Sequence, residues 1–344
     1  MELTVLDALP AGLLDAQARG LHRILTGPTL IHLPGRRPEP LFASVLLHGN
    51  EDTGLKAVQA VLQKYIGREL PRAFSLLIGN IAAARAGVRR LENQADYNRV
   101  WPGADDTTPP EYAVMARVVE EMKARKVFAS IDIHNNTGFN PHYACINRLD
   151  SHFFHLARLF SRIVVHFIRP PGVQSAAFAD ICPAITVECG KAGVGAADNH
   201  AEGLVEAALH LDHFPEHPLH RQEFDLYHTV ATVKVPESID FLFGQGEATI
   251  AFKAELDHFN FRELQPGTCF GHVDSCSRVP LEVWDEEGLE VTGKYFELSD
   301  GLLLTRRMFI PAMITRDERV VRQDCLCYLM ERLPYPADSF FNSI

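Results

Sequence analysis

The sequence lacks several features that would place it in a well-defined class. It has no excess of positive charge: the formal net charge of −11 over 344 residues gives no basic face for nucleic acid. No apolar run reaches the length of about 18 residues that a membrane-spanning helix needs. The first residues, Met-Glu-Leu-Thr-Val, lack the basic and apolar segments of a secretion signal. We therefore expect a cytoplasmic protein that binds neither nucleic acid nor membranes.

Cysteine and histidine usage gives no sign of a disulfide framework or a cysteine-rich metal site. The seven cysteines are odd in number and scattered, without a Cys-x-x-Cys pair, which predicts reduced and mostly buried thiols. Four histidines lie between residues 210 and 220, but Pro215 and Pro218 break any helix that would align them. We interpret that stretch as a surface linker.

The pattern up to residue 215 is an alternation of strands and helices. Short apolar runs typical of strands buried on both faces are Leu41–Leu47, Ala73–Ile78, Val127–Ile133 and Ala184–Val187. Helical patterns between and after them are Gly54–Ile66, Glu111–Arg125, His152–Phe160 and His200–Leu211. This alternation predicts an α/β layered domain over residues 1–215 with a parallel or mixed sheet.

The pattern changes after the proline-rich segment 214–219. Short strands punctuated by glycines follow, at His228–Val235, Ala248–Phe252, Val279–Trp284, Tyr295–Leu298 and Leu302–Thr305. Strands of this length separated by turn residues predict a second, β-rich domain over residues 216–344.

Three residues at strand ends are candidate metal ligands. His48 follows the first predicted strand of the α/β layer, and Glu51 comes three residues later in the turn. His134 follows another predicted strand, and polar residues come directly after it. Two histidines and one glutamate leave the fourth position of a tetrahedral zinc ion open for water, which is the catalytic arrangement. The alternative is an ordinary polar turn.

Two further clusters of polar residues carry chemistry of another kind. Arginines and asparagines occur in segments 80–89 and 96–99, and these side chains bind carboxylates. Asp96 could accept the free ring N–H of a ligand histidine. Glu188 follows an apolar strand directly, where a carboxylate could take the proton of a metal-bound water. The alternatives are a surface loop with ion pairs and an exposed glutamate at a strand end.

In this order the motifs resemble those of the zinc carboxypeptidase clan, and more closely its succinylglutamate desuccinylase/aspartoacylase branch. The resemblance covers about residues 41–215 and includes His-Gly-Asn-Glu at 48–51 and Asp-x-His at 132–134. It implies a three-layer α/β/α sandwich with a mixed sheet, followed by a small C-terminal β-rich domain. It also implies one zinc ion per chain, held by His48, Glu51 and His134.

The resemblance implies roles for five more residues. Glu188 would be the general base and then the general acid. Arg89 would polarise the scissile carbonyl and stabilise the oxyanion. Asn98 and Arg99 would bind the free carboxylate of the substrate. Asp96 would be the hydrogen-bond partner of a ligand histidine.

Departures from the family pattern leave the substrate side chain open. Ile81 and Arg90 stand where branch members often have Pro and Tyr, and no basic residue lies between Gln174 and Glu188, where aspartoacylases have an arginine that reads the side-chain carboxylate. An aspartoacylase substrate is therefore not expected. Tyr143, in the segment after the ligand histidine, is a candidate substrate-contacting phenol.

The sequence thus predicts a zinc-dependent hydrolase that cleaves an amide bond of a small substrate bearing a free carboxylate. A zinc carboxypeptidase acting on short peptides would share every catalytic residue. A non-catalytic zinc- or carboxylate-binding protein would have no need of both Glu188 and Arg89. The acyl group and the amino acid of the substrate stay open. The oligomeric state also stays open, and a homo-oligomer is one of the alternatives.

Overall fold

The structure, a computed structural model, describes residues 2–193, 195–274 and 277–334, which form two compact units. The first, called the α/β unit, holds the described residues up to Asn135, the segment His142–Leu226 and Pro334. The second, called the β unit, holds Asn136–Pro141 and Tyr227–Leu333. The boundary between domains predicted at residues 215–216 lies before the end of the α/β unit at Leu226. The sequence pattern did not predict that Asn136–Pro141 joins the β unit.

The strands of the α/β unit are β1 (Thr4–Leu6), β2 (Thr29–Leu33), β3 (Gly35–Val45), β4 (Leu70–Ile78), β5 (Ala129–Asn136), β6 (Tyr143–Ile146), β7 (Ile163–His166) and β8 (Ala184–Lys191). Its helices are α1 (Thr53–Lys64), α2 (Ile81–Ala86), α3 (Pro110–Ala124), α4 (Ser151–Arg158), α5 (Gln174–Phe178) and α6 (Gly195–His210). Short 3₁₀ helices lie at Leu13–Asp15, Ala18–Arg23 and Arg221–Glu223.

These strands follow the order β1-β2-β4-β3-β5-β8-β6-β7 in a mixed sheet. The pairs β4–β3, β3–β5 and β6–β7 are parallel, whereas β2–β4 and β6–β8 are antiparallel. All eight residues of β5 are buried, as expected for a strand covered on both faces. The helices complete the three-layer α/β/α sandwich, so the predicted fold class is confirmed.

The four strands and four helices predicted for this unit are all present, with different bounds. Strand β5 continues through His134 to Asn136, and β8 continues through Glu188 to Lys191. The sequence pattern predicted that both site residues directly follow strands. Both lie inside their strands instead. The reason is that pairing of the backbone continues past the last apolar residue, which is where the predicted strands were ended.

Local signals in the sequence explain where the helices begin and which face they bury. Helix α2 begins after Asn80, whose side-chain oxygen accepts the N–H of Ala83 at 3.0 Å, and this N-cap satisfies a donor that the helix itself leaves unpaired. In α1 the buried residues include Leu55, Val58 and Leu62, which recur at helical spacing. That face of α1 is therefore apolar, and α1 packs against α6.

The β unit contains β9 (Asp225–Lys234) from Tyr227 onward, β10 (Phe241–Phe243), β11 (Ile250–Phe252), β12 (Cys269–Val273), β13 (Glu282–Asp285), β14 (Phe296–Ser299), β15 (Leu302–Thr305), β16 (Ile310–Ala312) and β17 (Cys327–Arg332). It also has a 3₁₀ helix at Leu256–Phe259 and the short helices α7 (Thr292–Tyr295) and α8 (Glu318–Gln323). Strand β9 pairs with β13 and β17, and β17 pairs with β16. The other five strands form a separate sheet in the order β10-β11-β12-β15-β14.

The core of the β unit is rich in aromatic rings. Phe270 has its ring centroid 5.1 Å from that of Phe296 and 6.1 Å from that of Phe309, and all three are buried. A β-rich C-terminal region was predicted, but β10, β12 and β16 were not among its predicted strands. Among the described residues, no helix of either unit is both long enough and apolar enough to cross a membrane.

The aromatic stack in the α/β unit gives a test of its core. Phe42 on β3 is fully buried and stacks on Phe178 with ring centroids 4.8 Å apart. Phe42→Ala should lower the free energy of unfolding by about 3–5 kcal/mol, because it removes buried apolar surface and leaves a cavity. Urea titration measures this, with Ile66→Ala as the control because Ile66 is 69% exposed in the same unit. Equal effects of the two substitutions would contradict this description of the core.

Candidate metal centre and active site

The turn from His48 to Glu51 is held in one conformation by its neighbours. The N–H of Glu51 donates to the carbonyl of His48 at 3.2 Å, and the N–H of Gly49 donates to the carbonyl of Arg89 at 3.1 Å. A Cβ on Gly49 would overlap the backbone of Ala83, so only glycine allows this close approach to α2. The turn therefore presents both side chains towards the same point.

His134 on β5 meets the two side chains of this turn. Its Nδ1 lies 2.7 Å from Oε2 of Glu51 and 3.2 Å from Nδ1 of His48, and Nδ1 of His48 lies 2.8 Å from Oε1 of Glu51. All three residues are buried, and one ligand atom from each lies within 4.8 Å of the others. The structure thus brings together the three candidate metal ligands.

The far ring nitrogen of each histidine contacts a carboxylate. Nε2 of His48 lies 3.0 Å from Oδ1 of Asp96, and Nε2 of His134 lies 2.7 Å from Oδ2 of Asp132. An ionised carboxylate only accepts, so Nε2 of each histidine carries a hydrogen. Each Nδ1 also lies within 2.8 Å of an oxygen of Glu51, and two lone pairs repel at this distance. A hydrogen or a metal ion must therefore lie between each Nδ1 and Glu51.

The charges of this cluster balance only if positive charge is present between the ligand atoms. Burial by itself would raise the pKa of Glu51, but His48 and His134 lower it. Burial would also raise the pKa of Asp96, but Arg89 and His48 hold it well below its usual range. Burial would lower the pKa of His134, whereas Asp132 and Glu51 raise it well above its usual range. The carboxylates are ionised and attract a cation, either a proton or a metal ion.

The donor set fits a divalent metal with a preference for nitrogen and oxygen ligands. Two imidazole nitrogens and a carboxylate are a known set for a catalytic zinc ion, with one position left for water or substrate. His48, Glu51 and His134 are the one group of this kind among the described residues. The histidines between residues 210 and 220 join no such group in the described part of the chain.

Arg89 lies beside the metal ligands and is itself held by Asp96. Its Nε and Nη2 donate to Oδ2 of Asp96 at 3.2 and 2.9 Å, and its Nη1 is 4.0 Å from Oε1 of Glu51. The guanidinium is buried, so its orientation is fixed by these contacts. Arg89 therefore both supports the partner of His48 and places a cationic N–H group at the edge of the metal site.

Asn98 and Arg99 lie on the His134 side of the cluster. The side-chain oxygen of Asn98 accepts the backbone N–H of Gln174 at 3.0 Å, and its Nδ2 lies 3.2 Å from Nε2 of His134. That ring nitrogen already donates to Asp132, so it has no lone pair for the amide. The amide hydrogens of Asn98 therefore require another acceptor. Arg99 is partly exposed, and its Nη1 donates to the carbonyl of Asn98 at 2.8 Å.

Glu188 is a buried carboxyl group in the middle of β8. Its Oε2 has no hydrogen-bond partner, and burial raises its pKa to about 8, with smaller effects from His134 and Glu51. Tyr143 on β6 is its cross-strand partner in the antiparallel pair, and the phenol is buried. A buried carboxyl oxygen without a hydrogen-bond partner is costly, which marks Glu188 as a candidate functional group.

One residue of the cluster was given no role from the sequence, and another was misinterpreted. Asp132 belongs to the Asp-x-His motif, but its contact with His134 was not predicted, although polar and apolar residues alternate along β5. Asn80 was interpreted with the carboxylate-binding residues, but its side chain caps α2 and donates to Gln94 at 2.8 Å. A helix cap and a substrate-binding asparagine cannot be told apart from composition alone.

Comparison with known proteins assigns a family to the chain. Residues 43–213 match the sequence profile of the succinylglutamate desuccinylase/aspartoacylase catalytic domain. The chain belongs to this family of hydrolytic deacylases, whose fold is zinc carboxypeptidase-like. Sequence comparison with curated proteins gives no match.

Solved structures of the same fold include three from different organisms. The succinylglutamate desuccinylase from Vibrio cholerae is 14% identical with a TM-score of 0.58, and 87% of this chain aligns with 84% of that one. The desuccinylase from Chromobacterium violaceum is 16% identical with a TM-score of 0.54, over 88% and 87% of the two chains. Murine aminoacylase 3 is 16% identical with a TM-score of 0.56, over 87% and 96%. At these identities the likeness concerns the fold.

The raised pKa of Glu188 predicts a pH dependence of stability. Because this pKa is about 8 in the folded chain and 4.5 ordinarily, the folded chain keeps a proton that the unfolded chain loses between these values. The free energy of unfolding of the wild type should therefore fall relative to that of Glu188→Gln as the pH rises through this range, by up to about 1.4 kcal/mol per pH unit. Urea titrations of both metal-free proteins measure the difference. A difference that does not change with pH would contradict the burial of this carboxyl group.

Proposed function

We propose that the chain is a zinc-dependent hydrolase that cleaves the amide bond of a small substrate bearing a free carboxylate, as an N-acyl amino acid deacylase. The observation that carries this proposal is the convergence of His48, Glu51 and His134 near a buried carboxyl group that has an unpaired oxygen, Glu188. A site that only held a metal would not need a buried carboxyl group with an unpaired oxygen beside it. The membership of the chain in a family of deacylases supports the same reading.

The proposed zinc ligands are the Nδ1 atoms of His48 and His134 and the carboxylate of Glu51. When bound there, zinc supplies Lewis acidity, which lowers the pKa of water towards neutrality and polarises a carbonyl group. The protein residues do the proton transfer. Glu188 takes a proton from the attacking water and delivers it to the nitrogen of the leaving amine. The pKa of about 8 is that of the metal-free chain, in which Glu188 holds a proton at neutral pH. A cation bound beside it would lower this pKa, because it favours the ionised carboxylate that the first step needs. The carboxylic acid formed in that step then donates its proton to the leaving nitrogen.

Arg89 is proposed to stabilise the negative charge that develops on the carbonyl oxygen. Its Nε and Nη2 are engaged with Asp96, which fixes the guanidinium plane, and Nη1 lies on the side of Glu51. A donor held in place before the reaction loses no energy to reorientation, and such a donor typically contributes a few kcal/mol. The Asp96 contact thus supports this proposed role of Arg89.

Asn98 and Arg99 are proposed to bind the free carboxylate of the substrate. The amide group of Asn98 is oriented by Gln174, so its N–H hydrogens are available for an acceptor other than the His134 ring. The partly exposed guanidinium of Arg99 can form the charged hydrogen bonds that carboxylates favour. Tyr143, opposite Glu188 in the strand pair, remains a proposed substrate contact.

The proposed location is the cytoplasm. The six cysteines that the structure describes are free thiols, although two of them, Cys325 and Cys327, are close in sequence and buried. Unpaired thiols are the rule in a reducing compartment, which supports this part of the proposal.

The proposal is tested by amine release from a panel of N-acyl amino acids and dipeptides with the zinc-loaded protein. At least one compound should be cleaved, and the preferred class separates a deacylase from a peptidase. Glu188→Gln should keep its zinc but lose about 100-fold to 10,000-fold in turnover, because glutamine cannot accept a proton. His134→Ala should lose its zinc. Near-normal turnover by the first variant, or full-strength zinc binding by the second, would contradict these assignments.

The two arginines should differ in their kinetic effects. Arg99→Ala should raise KM for carboxylate-bearing substrates about tenfold or more and change little for their amidated analogues, because a charged hydrogen bond to the carboxylate is worth about 1.5–3 kcal/mol. Arg89→Ala should instead lower kcat about 100-fold, because the charge it contacts develops only during attack.

Two measurements make this comparison decisive. Zinc content is measured in each variant, since Arg89 also holds Asp96. Arg148→Ala is the control, because Arg148 is a half-exposed arginine that pairs with Asp180 on the surface. The same kinetic signature in Arg89→Ala and Arg99→Ala would refute the proposed division of roles.

A further inference from the structure

Ser44 forms a hydrogen bond to a carboxylate that also contacts a candidate metal ligand. Ser44 on β3 and Asp132 on β5 are register partners in parallel strands. The Ser44 hydroxyl donates to Oδ1 of Asp132 at 2.6 Å, and Oδ2 of Asp132 lies 2.7 Å from Nε2 of His134. Ser44 and Asp132 are fully buried and His134 nearly so. The three side chains form one chain of hydrogen bonds between neighbouring strands.

The buried polar residues of β5 are not needed for this segment to form a strand. Along β5 the residues Ser130, Asp132 and His134 alternate with Ile131 and Ile133, and all five are buried. A fully buried carboxylate is unfavourable unless its oxygens are hydrogen-bonded, and an apolar residue would serve the core better. The polar row therefore has a role other than packing.

We infer that Ser44 is a positioning residue for the metal ligand His134 and that it acts through Asp132. This inference rests on the proposed metal site. The hydrogen bond from Ser44 to Oδ1 fixes the orientation of the Asp132 carboxylate. Its Oδ2 can then accept the ring hydrogen of His134 in one ring orientation only. The ring is then held with Nδ1 towards Glu51, the arrangement a metal ion needs.

The other ligand histidine is held in the same way by different residues. Asp96 accepts from Nε2 of His48, and its two oxygens are held by Arg89 and by the backbone N–H of Asn98 at 2.8 Å. Each ligand histidine is thus fixed by a carboxylate that is itself held by a further donor. Ser44 is that donor on the His134 side.

The experiment measures zinc affinity by competition with a chelator in four proteins. Ser44→Ala should weaken zinc binding by up to about 10-fold, less than the 10-fold to 100-fold loss expected when the direct partner of a metal ligand is removed. Ser44→Thr keeps the hydroxyl and should restore most of the affinity. Ser75→Ala is the matched control: Ser75 is equally buried on the adjacent strand β4 and bonds a histidine, His32, at 2.8 Å, outside the metal cluster. It should leave zinc affinity unchanged.

A second readout separates positioning of the ring from general loss of structure. With cobalt in place of zinc, the visible absorption spectrum reports the ligand geometry, and it should change in Ser44→Ala but not in Ser75→Ala. Should Ser44→Ala fail to fold by circular dichroism, Ser44→Cys replaces it, because a thiol of similar size is a weak donor.

The possible results are distinguishable. If the wild type binds no zinc, the proposed function itself fails. If the wild type binds zinc, the comparison with Ser44→Ala, or with its replacement Ser44→Cys, tests the inference. Equal zinc affinity together with an unchanged cobalt spectrum in that variant would show that the inference is wrong. Equal weakening in Ser75→Ala would also overturn it, because the effect would then come from the loss of any buried hydroxyl in this sheet.

Discussion

The contact of three carboxylates, two of them buried and one partly buried, with two buried imidazoles is the constraint on which the rest of the site depends. Glu51, Asp96 and Asp132 all lie within hydrogen-bond distance of a ring nitrogen of His48 or His134. Such a cluster is stable in a protein interior only with compensating positive charge and with every oxygen paired. Arg89 supplies part of this positive charge at Asp96. The metal ion proposed for the site would supply more of it between the two histidines and Glu51.

The sheet provides the rigid frame that this charge balance requires. Strand β5 carries Asp132 and His134, and the adjacent strand β3 leads into the turn that carries His48 and Glu51. Ligands on neighbouring strands keep their separation because the backbone hydrogen bonds of the sheet fix the register. Gly49 completes the frame, since it alone lets the turn lie against α2. A site built on regular elements is held more firmly than one built on loops.

Much of this could be predicted from the sequence, and the failures have physical causes. His48 and Glu51 share one turn, so their proximity followed from spacing. The α/β and β-rich regions followed from periodicity, whereas β10 and β16 are three residues each and carry little pattern. Asp132 stands in the Asp-x-His motif, but its role was not predicted, because the donor that stabilises it, Ser44, is distant in sequence. Asn80 was misassigned because its partner, the N–H of Ala83, is a backbone group that every residue has.

The most direct test of the account is anomalous diffraction from crystals of the zinc-loaded protein. A single peak should lie about 2.0–2.2 Å from Nδ1 of His48, Nδ1 of His134 and a carboxylate oxygen of Glu51, with Nε2 of each histidine still bonded to its carboxylate. This result would show that the carboxylates orient both rings for metal binding. A peak bonded to other residues, or to either histidine through Nε2, would contradict the account.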